Sequence, residues 1–328
     1  MKDLLARSLP KQRVKGEFGE YSDYFTQAAD GSGVASGDKT KAPGFVDKFY
    51  NLVTDIYEWG WGESFHFSPS LAGKSDAEAT RVHELRLARE AGLCAGRHAL
   101  DAGCGVGGPM RNIARGTKGR VTGVTINAYQ VERCKAHNRR AGLEEQVDVV
   151  QGTFLDLQFD DAAFDCAYSI EATCHAPTLE SVYAEVHRVL KPGGLYATYE
   201  WLTTPQYDRR DPAQAAIIDS ICHGNALPDL RTVDDAIAAA EKVGFELVKE
   251  GDYALPPALP WWRRLNISRW EYSLNGMVVN VLEAVGVAPK GTADVHKMLV
   301  GVARDLAKAG ETGIFTPMHL LVFRKKKI

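Results

Sequence analysis

A glycine-rich turn with an acidic residue ahead of it is the clearest chemical feature of the sequence. Asp101 ends a short apolar stretch, and Pro109 closes the turn that follows. The turn contains Gly103, Gly105, Gly107 and Gly108. Glycines let a backbone approach a ligand closely, and proline suits the start of a helix, whose free N–H groups attract an anion. We therefore expect the turn to hold a carboxylate and Asp101 to receive an ammonium group.

The methionine end of S-adenosylmethionine carries both of those groups. A dinucleotide is less suitable because Asp101 would repel its pyrophosphate, although Gly108 occupies the third position of the GxGxxG pattern. Beyond the turn, we expect neutral amides to bind the ribose and the edge after the third strand to face the adenine. The expected cofactor contacts are Asp101, Gly103, Cys104, Gly105, Gly107, Asn127, Gln130, Thr153 and Phe154.

A carboxylate and an imidazole follow another buried stretch. Residues 164–170 form an apolar strand pattern, and Glu171 and His175 come directly after it. Ligands of open α/β sheets bind just beyond the carboxyl ends of the strands, so both side chains are expected near the chemistry. Taken alone, His175 is better explained as a loop histidine that bonds to backbone.

Aromatic residues are concentrated in residues 55–69, where Gly60 and Gly62 indicate a loop. Such clusters usually belong to a core, but Glu58, Glu63 and His66 stand between the rings. This mixture favours a segment that lines a site. The rings are Tyr57, Trp59, Trp61, Phe65 and Phe67.

Strand and helix patterns alternate along the chain, which predicts an α/β fold with a doubly wound, mostly parallel sheet. A helix over 76–91 is marked by a capping box of Ser75 and Glu78. The other predicted helices cover 45–54, 128–142, 179–190, 211–222 and 234–243. The predicted strands cover 97–101, 120–125, 147–152, 164–170, 195–201, 244–249 and 314–324.

Composition excludes several classes of protein. The 328 residues carry a net charge of −3 without an internal basic run, which argues against a nucleic-acid partner. The six cysteines have neither CxxC pairs nor metal-ligand spacing, so we expect no metal site and reduced thiols in the cytoplasm. No secretory signal and no run of 18 apolar residues is found, so we expect neither export nor a membrane span.

Four segments are expected along the chain. Residues 1–44 are polar and end in a glycine- and serine-rich stretch, which predicts a flexible N-terminal segment. Residues 45–95 form a helical and aromatic substrate-site segment, and residues 96–202 form the cofactor-binding core. Residues 203–328 complete the sheet and form a lid.

Three tryptophans in the last segment allow two interpretations. Trp261, Trp262 and Trp270 stand beside arginines. Such a group could make a peripheral contact with a membrane surface from which a lipid is drawn. The alternative is a lid whose tryptophans face the site.

Several longer motifs together resemble the sterol C-24 methyltransferase family of S-adenosylmethionine-dependent enzymes. They are YEWGWGESFHF at 57–67, LDAGCGVGGP at 100–109, IEATCHAP at 170–177, LKPGG with YEW within 190–201, GNALPDLRT at 224–232 and GIFTPM at 313–318. Together they cover nearly everything from residue 45 onward, and the first and third are far more specific than the cofactor turn. The sequence departs from the family at residues 125–128 and at Thr153, which puts the adenosine contacts in question.

This resemblance implies a fold, a cofactor and a reaction. The fold would be a seven-stranded, Rossmann-like class I methyltransferase sheet with a sterol-specific C-terminal region. The reaction would transfer a methyl group to carbon 24 of a Δ24 sterol during sterol biosynthesis, leaving S-adenosylhomocysteine. The family also implies a homo-oligomer. Two alternatives remain, namely a methyltransferase of a linear triterpene or other prenyl lipid, and a sterol- or cofactor-binding module without activity.

Methylation of an alkene produces a carbocation, and this requirement assigns roles to the remaining residues. Aromatic faces stabilise a cation, and a dry site prevents water from attacking it. We expect Tyr57 to act in catalysis and the sterol to contact Trp59, Trp61, Phe65, Tyr199 and Trp201. A carboxylate or imidazole must then accept a proton. Glu171 is the first candidate, with His66, His175, Glu58 and Glu200 as candidate partners in a relay.

Overall fold

The computed structural model describes residues 42–255, 259–265, 269–286, 288 and 290–327, and within them eight strands form one sheet. The predicted flexible segment 1–44 falls almost wholly outside these ranges. The strands are β1 (His98–Ala102), β2 (Arg120–Thr125), β3 (Val147–Gln151), β4 (Phe164–Ile170), β5 (Leu190–Thr203), β6 (Arg231–Thr232), β7 (Phe245–Asp252) and β8 (Phe315–Lys325).

The helices lie between these strands and ahead of them. They are α1 (Ala42–Trp61), α2 (Asp76–Glu90), α3 (Gly108–Thr117), α4 (Ala128–Ala141), α5 (Leu179–Val189), α6 (Pro212–Gly224), α7 (Val233–Lys242), α8 (Arg269–Ala284) and α9 (Thr292–Thr312). The predicted capping box is present, because the Ser75 hydroxyl accepts from the Glu78 N–H while the Glu78 carboxylate accepts from the Ser75 N–H. The predicted alternation of strands and helices is confirmed.

The sheet has the order β3-β2-β1-β4-β5-β8-β7, and the two-residue β6 pairs with the end of β5. Strands β1 to β6 pair in parallel, whereas β8 is antiparallel to both β5 and β7. From β1 the chain adds strands first on one side, as β2 and β3, and then on the other side, as β4 and β5. This change of direction between β1 and β4 opens a crevice at the carboxyl ends of these strands. The predicted seven-stranded, mostly parallel sheet is confirmed, with β6 as a short addition.

Helices cover both faces of the sheet because successive residues of each buried strand point to opposite sides. Ala99 and Leu100 are neighbours in β1 but belong to different hydrophobic cores. The core around Ala99 receives residues of α2, α3 and α4, and the core around Leu100 receives residues of α5 and α7. The cofactor turn after β1 is thus held between two packed layers.

Helices α1, α8 and α9 and strand β5 differ from the prediction. Helix α1 was expected to end before a loop at residue 55, but it continues to Trp61 and ends where Gly62 adopts a φ of +89°. Strand β5 begins at Leu190 rather than 195, with a change of register where Gly193 has a φ of +80°. Helices α8 and α9 were not predicted, and the β-branched residues of α8 weaken its helix pattern.

The C-terminal tryptophans lie in a third core. Trp261 is 1% exposed, and its ring lies 4.8 Å from Phe67 and 5.9 Å from Phe315 between centroids. Trp262 packs edge-on against Trp261, and the Trp270 side chain lies outside the described residues. Of the two interpretations, the membrane contact does not hold for Trp261, because this buried ring joins the aromatic segment to β8. In the described part of the chain, none of the helices combines the length and apolarity that crossing a bilayer requires.

Candidate active site

A cavity opens at the carboxyl ends of β1, β2 and β4, underneath α1. It contains about 900 Å³ of empty space, including its mouth. The turn after β1, the end of β2, the loop after β3 and the turn after β4 all contribute to its walls. Within the described residues, no group of three or more side chains is arranged to hold a metal ion.

Most of the predicted cofactor contacts line this cavity. They are Asp101, Gly103, Cys104, Gly105, Gln130, Thr153 and Phe154. Gly107 does not line it; this residue precedes α3 with a φ of +78°. Asn127 is also absent from the walls, because its Oδ1 caps α4 by accepting from the Gln130 N–H at 2.9 Å. Gly107 and Asn127 therefore do not line the cavity, and their contacts with the cofactor stay predictions.

Asp101 provides a buried carboxyl at the end of β1. It is 2% exposed and forms no ion pair with the described residues. Burial raises its pKa from 3.8 to about 7, an effect that the nearby Tyr168 hydroxyl opposes. An ammonium group in the cavity would favour the ionised form. The site therefore fits the predicted ammonium group of the cofactor.

Gly103 lets the turn after β1 pass close to the turn after β4. Its φ is +107°, and a Cβ at this position would overlap the Cβ of Ala172. The backbone thus leaves a cradle for the cofactor that any side chain would fill. The N–H groups of Gly103 and Cys104 both bond to the Val124 carbonyl at 3.0 Å, which fixes the turn against β2.

We expect Gly103→Ala to destabilise the fold by about 3 kcal/mol, since the new methyl group combines an unfavourable φ with a steric overlap. The affinity for S-adenosylmethionine should fall about 10-fold or more because the turn must move. Denaturant unfolding and titration calorimetry measure the two effects. Gly142→Ala is the matched control, since Gly142 has a φ of +64° but no atom near the Cβ position. Similar losses in both variants would contradict the steric argument.

Helix α1 closes the cavity from above. Its residues Val46 and Tyr50 line the wall, and its Asp47 and Asn51 accept from Nδ2 of Asn127 at 2.8 and 2.7 Å. These contacts connect the helix to the start of α4. Gln130 lies in the same region, where its side chain accepts from the Thr125 hydroxyl.

Glu171 follows β4 and has a left-handed backbone conformation with a φ of +53°. Its N–H donates to the Tyr199 carbonyl at 2.9 Å. Its Oε1 accepts from the Phe67 N–H at 2.8 Å, and its Oε2 accepts from Nε1 of Trp201 at 2.7 Å. Burial raises the pKa of this carboxyl to about 8, while His66 and the two donors oppose the shift. The carboxyl is thus rigidly held in the cavity wall.

His66 lies in the wall between two hydrogen-bond acceptors. Its Nδ1 is 2.7 Å from the Phe67 carbonyl and its Nε2 is 3.1 Å from Oε1 of Glu84. Both ring nitrogens therefore face acceptors, which favours the doubly protonated ring. Burial alone would lower the pKa of His66, but the Glu84 carboxylate raises it overall. Glu84 was missed in the sequence because a glutamate within an ordinary helix pattern gives no sign that it is buried.

His175 lies opposite as a neutral ring. Its Nε2 is 2.9 Å from the Tyr50 hydroxyl, and its Nδ1 is 3.3 Å from the Ala226 carbonyl. Burial lowers the pKa of His175 to about 4. Tyr50 was also missed, because the stretch around it reads simply as a helix with an apolar face.

Of the other predicted side chains, only Phe65 lines the cavity. Tyr57 packs edge-on behind Phe65 with centroids 5.5 Å apart, and Trp61 donates from Nε1 to the His66 carbonyl at 3.0 Å. Trp201 reaches the site only through its bond to Glu171. Tyr57, Trp61 and Trp201 each contact a wall residue without lining the cavity, so the catalytic role of Tyr57 and the sterol contacts of Trp61 and Trp201 stay predictions.

Four predicted residues lie elsewhere. Glu58 pairs with Arg133 at 2.7 Å and with His137 at 2.6 Å, so its prediction as a relay partner is wrong. Trp59 is 69% exposed on the outer side of α1, so its prediction as a sterol contact is wrong as well. The same correction applies to two core residues. Tyr199 stacks on His83 with ring centroids 3.8 Å apart, and Glu200 is fully buried and accepts from Thr173, Tyr183 and Thr198.

Comparisons with known proteins agree with this site. A family model described as "Methyltransferase domain" matches residues 100–198, and one described as "Sterol methyltransferase C-terminal" matches residues 262–326. The chain is 54% identical to the 24-methylenesterol C-methyltransferase 2 of Oryza sativa subsp. japonica, over 98% of this chain and 89% of that protein. It is 40% identical to the squalene methyltransferase 2 of Botryococcus braunii, over 98% and 86% respectively.

The fold has solved counterparts. The cyclopropane synthase MmaA2 from Mycobacterium tuberculosis superimposes with a TM-score of 0.66 and 18% sequence identity, over 88% of this chain and 97% of that chain. At this identity the likeness concerns the fold alone. The family is shown by the near full-length sequence matches together with the two family models. The chain belongs to the sterol C-24 methyltransferase family of S-adenosylmethionine-dependent enzymes.

Proposed function

We propose that the protein transfers a methyl group from S-adenosylmethionine to the alkene at carbon 24 of a sterol side chain, with a 24-methylene sterol as the acceptor. In that acceptor the methyl group bonds to the terminal methylene carbon, and the positive charge develops on carbon 24. The placement of Glu171 in the same cavity as Asp101 carries this proposal. Asp101 fits the ammonium group of the cofactor, and Glu171 offers a carboxyl to a developing cation. The name of the rice relative supports the choice of acceptor.

The protein side chains supply binding, orientation and electrostatics. When bound, S-adenosylmethionine supplies an electrophilic methyl group. Asp101 holds the ammonium group, and the turn at Gly103 leaves room for the carboxylate end. Glu171 stabilises the positive charge that develops on the sterol, and the Phe65 ring excludes water from it. A base must then remove a proton, and Glu171 and His175 are the two candidates. His66 is not, because neither of its nitrogens has a free lone pair.

The test is mass spectrometry of products made with methyl-deuterated S-adenosylmethionine. The acceptors are desmosterol, zymosterol, cycloartenol, a 24-methylene sterol and squalene. A labelled product from the 24-methylene sterol is expected, in larger yield than from the other sterols. Cofactor binding without any product would contradict the proposal and favour a binding module.

A second candidate is methylation of a linear triterpene. The 40% identity to a squalene methyltransferase favours it, because the alkene chemistry is the same and only the shape of the pocket differs. Formation of a deuterium-labelled methylsqualene, with no labelled product from any of the sterols, would establish this candidate.

We also propose that the protein works at a lipid surface in the reducing cytoplasm. All six cysteines are free thiols in the structure. Helix α8 exposes Met277, Val278, Val281 and Leu282 at helical spacing, and Val285 directly after the helix is exposed as well. A sterol is dissolved in membranes, so a face of this kind suits a peripheral contact.

Val281→Asp is expected to reduce co-sedimentation with phosphatidylcholine vesicles about fivefold or more, since a charge replaces an apolar contact. Activity on a detergent-solubilised sterol should not change. A change in the molecular mass measured by light scattering would instead mean that the exposed side chains of α8 join subunits of the homo-oligomer that the family implies. The proposed lipid contact would then be wrong.

A further inference from the structure

The mechanism above leaves Tyr50 without a role, although it lines the cavity. Its hydroxyl oxygen is 2.9 Å from Nε2 of His175, and the two rings meet edge to face with centroids 5.5 Å apart. On the far side, Nδ1 of His175 faces the Ala226 carbonyl, which can only accept. Nδ1 must therefore carry the hydrogen, and Nε2 accepts the hydrogen of Tyr50.

This chain of hydrogen bonds fixes the state of the Tyr50 oxygen. Burial raises the pKa of Tyr50 well above its usual value, so the phenol is neutral. Its one hydrogen is directed to His175, which leaves only lone pairs for any group in the cavity. A phenol held in this way acts purely as an acceptor, which suits a neighbouring positive charge or an acidic C–H group.

His66 and Glu171, which also line the wall, are suited to a different task. Both nitrogens of His66 are occupied by acceptors, so this ring cannot take a proton. Each oxygen of Glu171 accepts a hydrogen bond, one from Phe67 and one from Trp201. These donors hold the carboxylate still and disperse its charge, which makes it a fixed counter-charge for a cation.

We propose that Tyr50 and His175 together remove the final proton, while Glu171 stabilises the cation. This proposal rests on the proposed function. The C–H bond beside the cationic carbon breaks, and its electron pair forms the alkene. That hydrogen passes to Oη of Tyr50 as the original phenol hydrogen passes to Nε2 of His175. His175 becomes an imidazolium and later releases the proton to water.

Energetically, a weak base is sufficient for this step. A carbocation with an adjacent C–H bond is a far stronger acid than an imidazolium whose pKa is about 4. The low pKa also means that His175 loses the proton readily after product release, which returns the pair to its starting state.

Tyr50→Phe tests the proposal because it keeps the ring and removes the oxygen. Methyl transfer should continue, but the normal alkene should fall about tenfold or more relative to alcohols and isomeric alkenes, as expected for loss of a general base. The ratio is read by mass spectrometry of the deuterated products. His175→Gln should change the ratio in the same direction, because an amide can accept the phenol hydrogen but cannot take a proton. This second variant keeps the test valid if the first folds poorly.

Two controls separate this role from structural effects. Tyr129→Phe removes another phenol hydroxyl that anchors α1, through Asp55 at 2.6 Å, and should leave the product ratio unchanged. Glu171→Gln should lower total methyl transfer with little change in the ratio. An unchanged ratio in Tyr50→Phe and His175→Gln, or a changed ratio in Glu171→Gln alone, would overturn the proposal. Failure of the proposed function is distinct, since the unmodified protein would then methylate no sterol.

Discussion

The Asp101→Asn variant is expected to bind S-adenosylmethionine about 100-fold or more weakly than the unmodified protein at pH 7.5, as measured by titration calorimetry. Asp101 is buried at the end of β1 and forms no direct ion pair with the described residues, so an ammonium group there would form a desolvated ion pair. Replacing one partner of such a pair leaves the other charge buried without compensation, which costs about 3–5 kcal/mol.

The pH dependence of binding provides a second signature of this carboxyl. Its pKa of about 7 in the free protein means that it must lose a proton before it can pair with the ammonium group. The affinity should therefore fall roughly tenfold per pH unit as the pH drops below 7. Asp101→Asn should show no such slope. Asp165→Asn, at an acid that pairs with Lys191, is the control and should bind the cofactor normally.

The Asp101→Asn variant should be more stable than the unmodified protein when no cofactor is bound. The pKa of Asp101 is higher in the folded state than in the unfolded chain, so the folded protein holds more protons between about pH 4 and 7. The free energy of unfolding contributed by this group falls as the pH rises through that window. Above pH 7 the penalty reaches about 4 kcal/mol, and asparagine removes it. A variant that binds the cofactor normally, or that is less stable at pH 8, would contradict this account.

Glu171→Gln is expected to lower the rate of methyl transfer by about 100- to 1,000-fold, with a smaller effect on cofactor binding. The amide occupies the same space but cannot balance the charge of the cation. The measurement is single-turnover formation of labelled sterol. Glu185→Gln, a change in a surface pair with Arg188, is the control. A rate within a few-fold of normal would mean that Glu171 is only structural.

Cofactor binding should release protons from this site. Glu171 has a pKa of about 8 in the free protein, so at pH 7.5 it is mostly protonated. The sulfonium charge of S-adenosylmethionine favours the carboxylate and lowers that pKa. Calorimetry in two buffers of different ionisation enthalpy should show less proton release with Glu171→Gln. The release of protons should also be smaller when S-adenosylhomocysteine binds in place of S-adenosylmethionine, because it lacks the sulfonium charge.

The sequence predicted the parts of the site that follow strands. Asp101 and Glu171 each come directly after a buried strand, and parallel strands place such residues along one edge of the sheet. The glycines of the turn and the acid ahead of them together predicted the cofactor, because the shape of such a turn depends on the local backbone. For these residues, neighbours in sequence are enough to fix the position in space.

The sequence was a poor guide where residues close in the chain point in different directions. Glu58 and Trp59 are adjacent on α1, but the helix turns one toward α4 and the other toward solvent. Tyr199 and Glu200 are adjacent in β5 and enter opposite faces of the sheet, so they cannot both reach one cavity. Tyr50 becomes part of the site only because α1 folds across the β4 turn, and no local pattern encodes that long-range contact.

The position of β8 has a consequence for synthesis on the ribosome. This strand lies between β5 and β7, and among the described strands it is the only sheet neighbour of β7. It is also the last of them in chain order, so β7 leaves the ribosome well before its partner exists. The open edges of β5 and β7 could meanwhile pair with other chains. A nascent chain that stalls ahead of β8 should therefore depend on chaperones, and early truncation should yield aggregates rather than a weakly active enzyme.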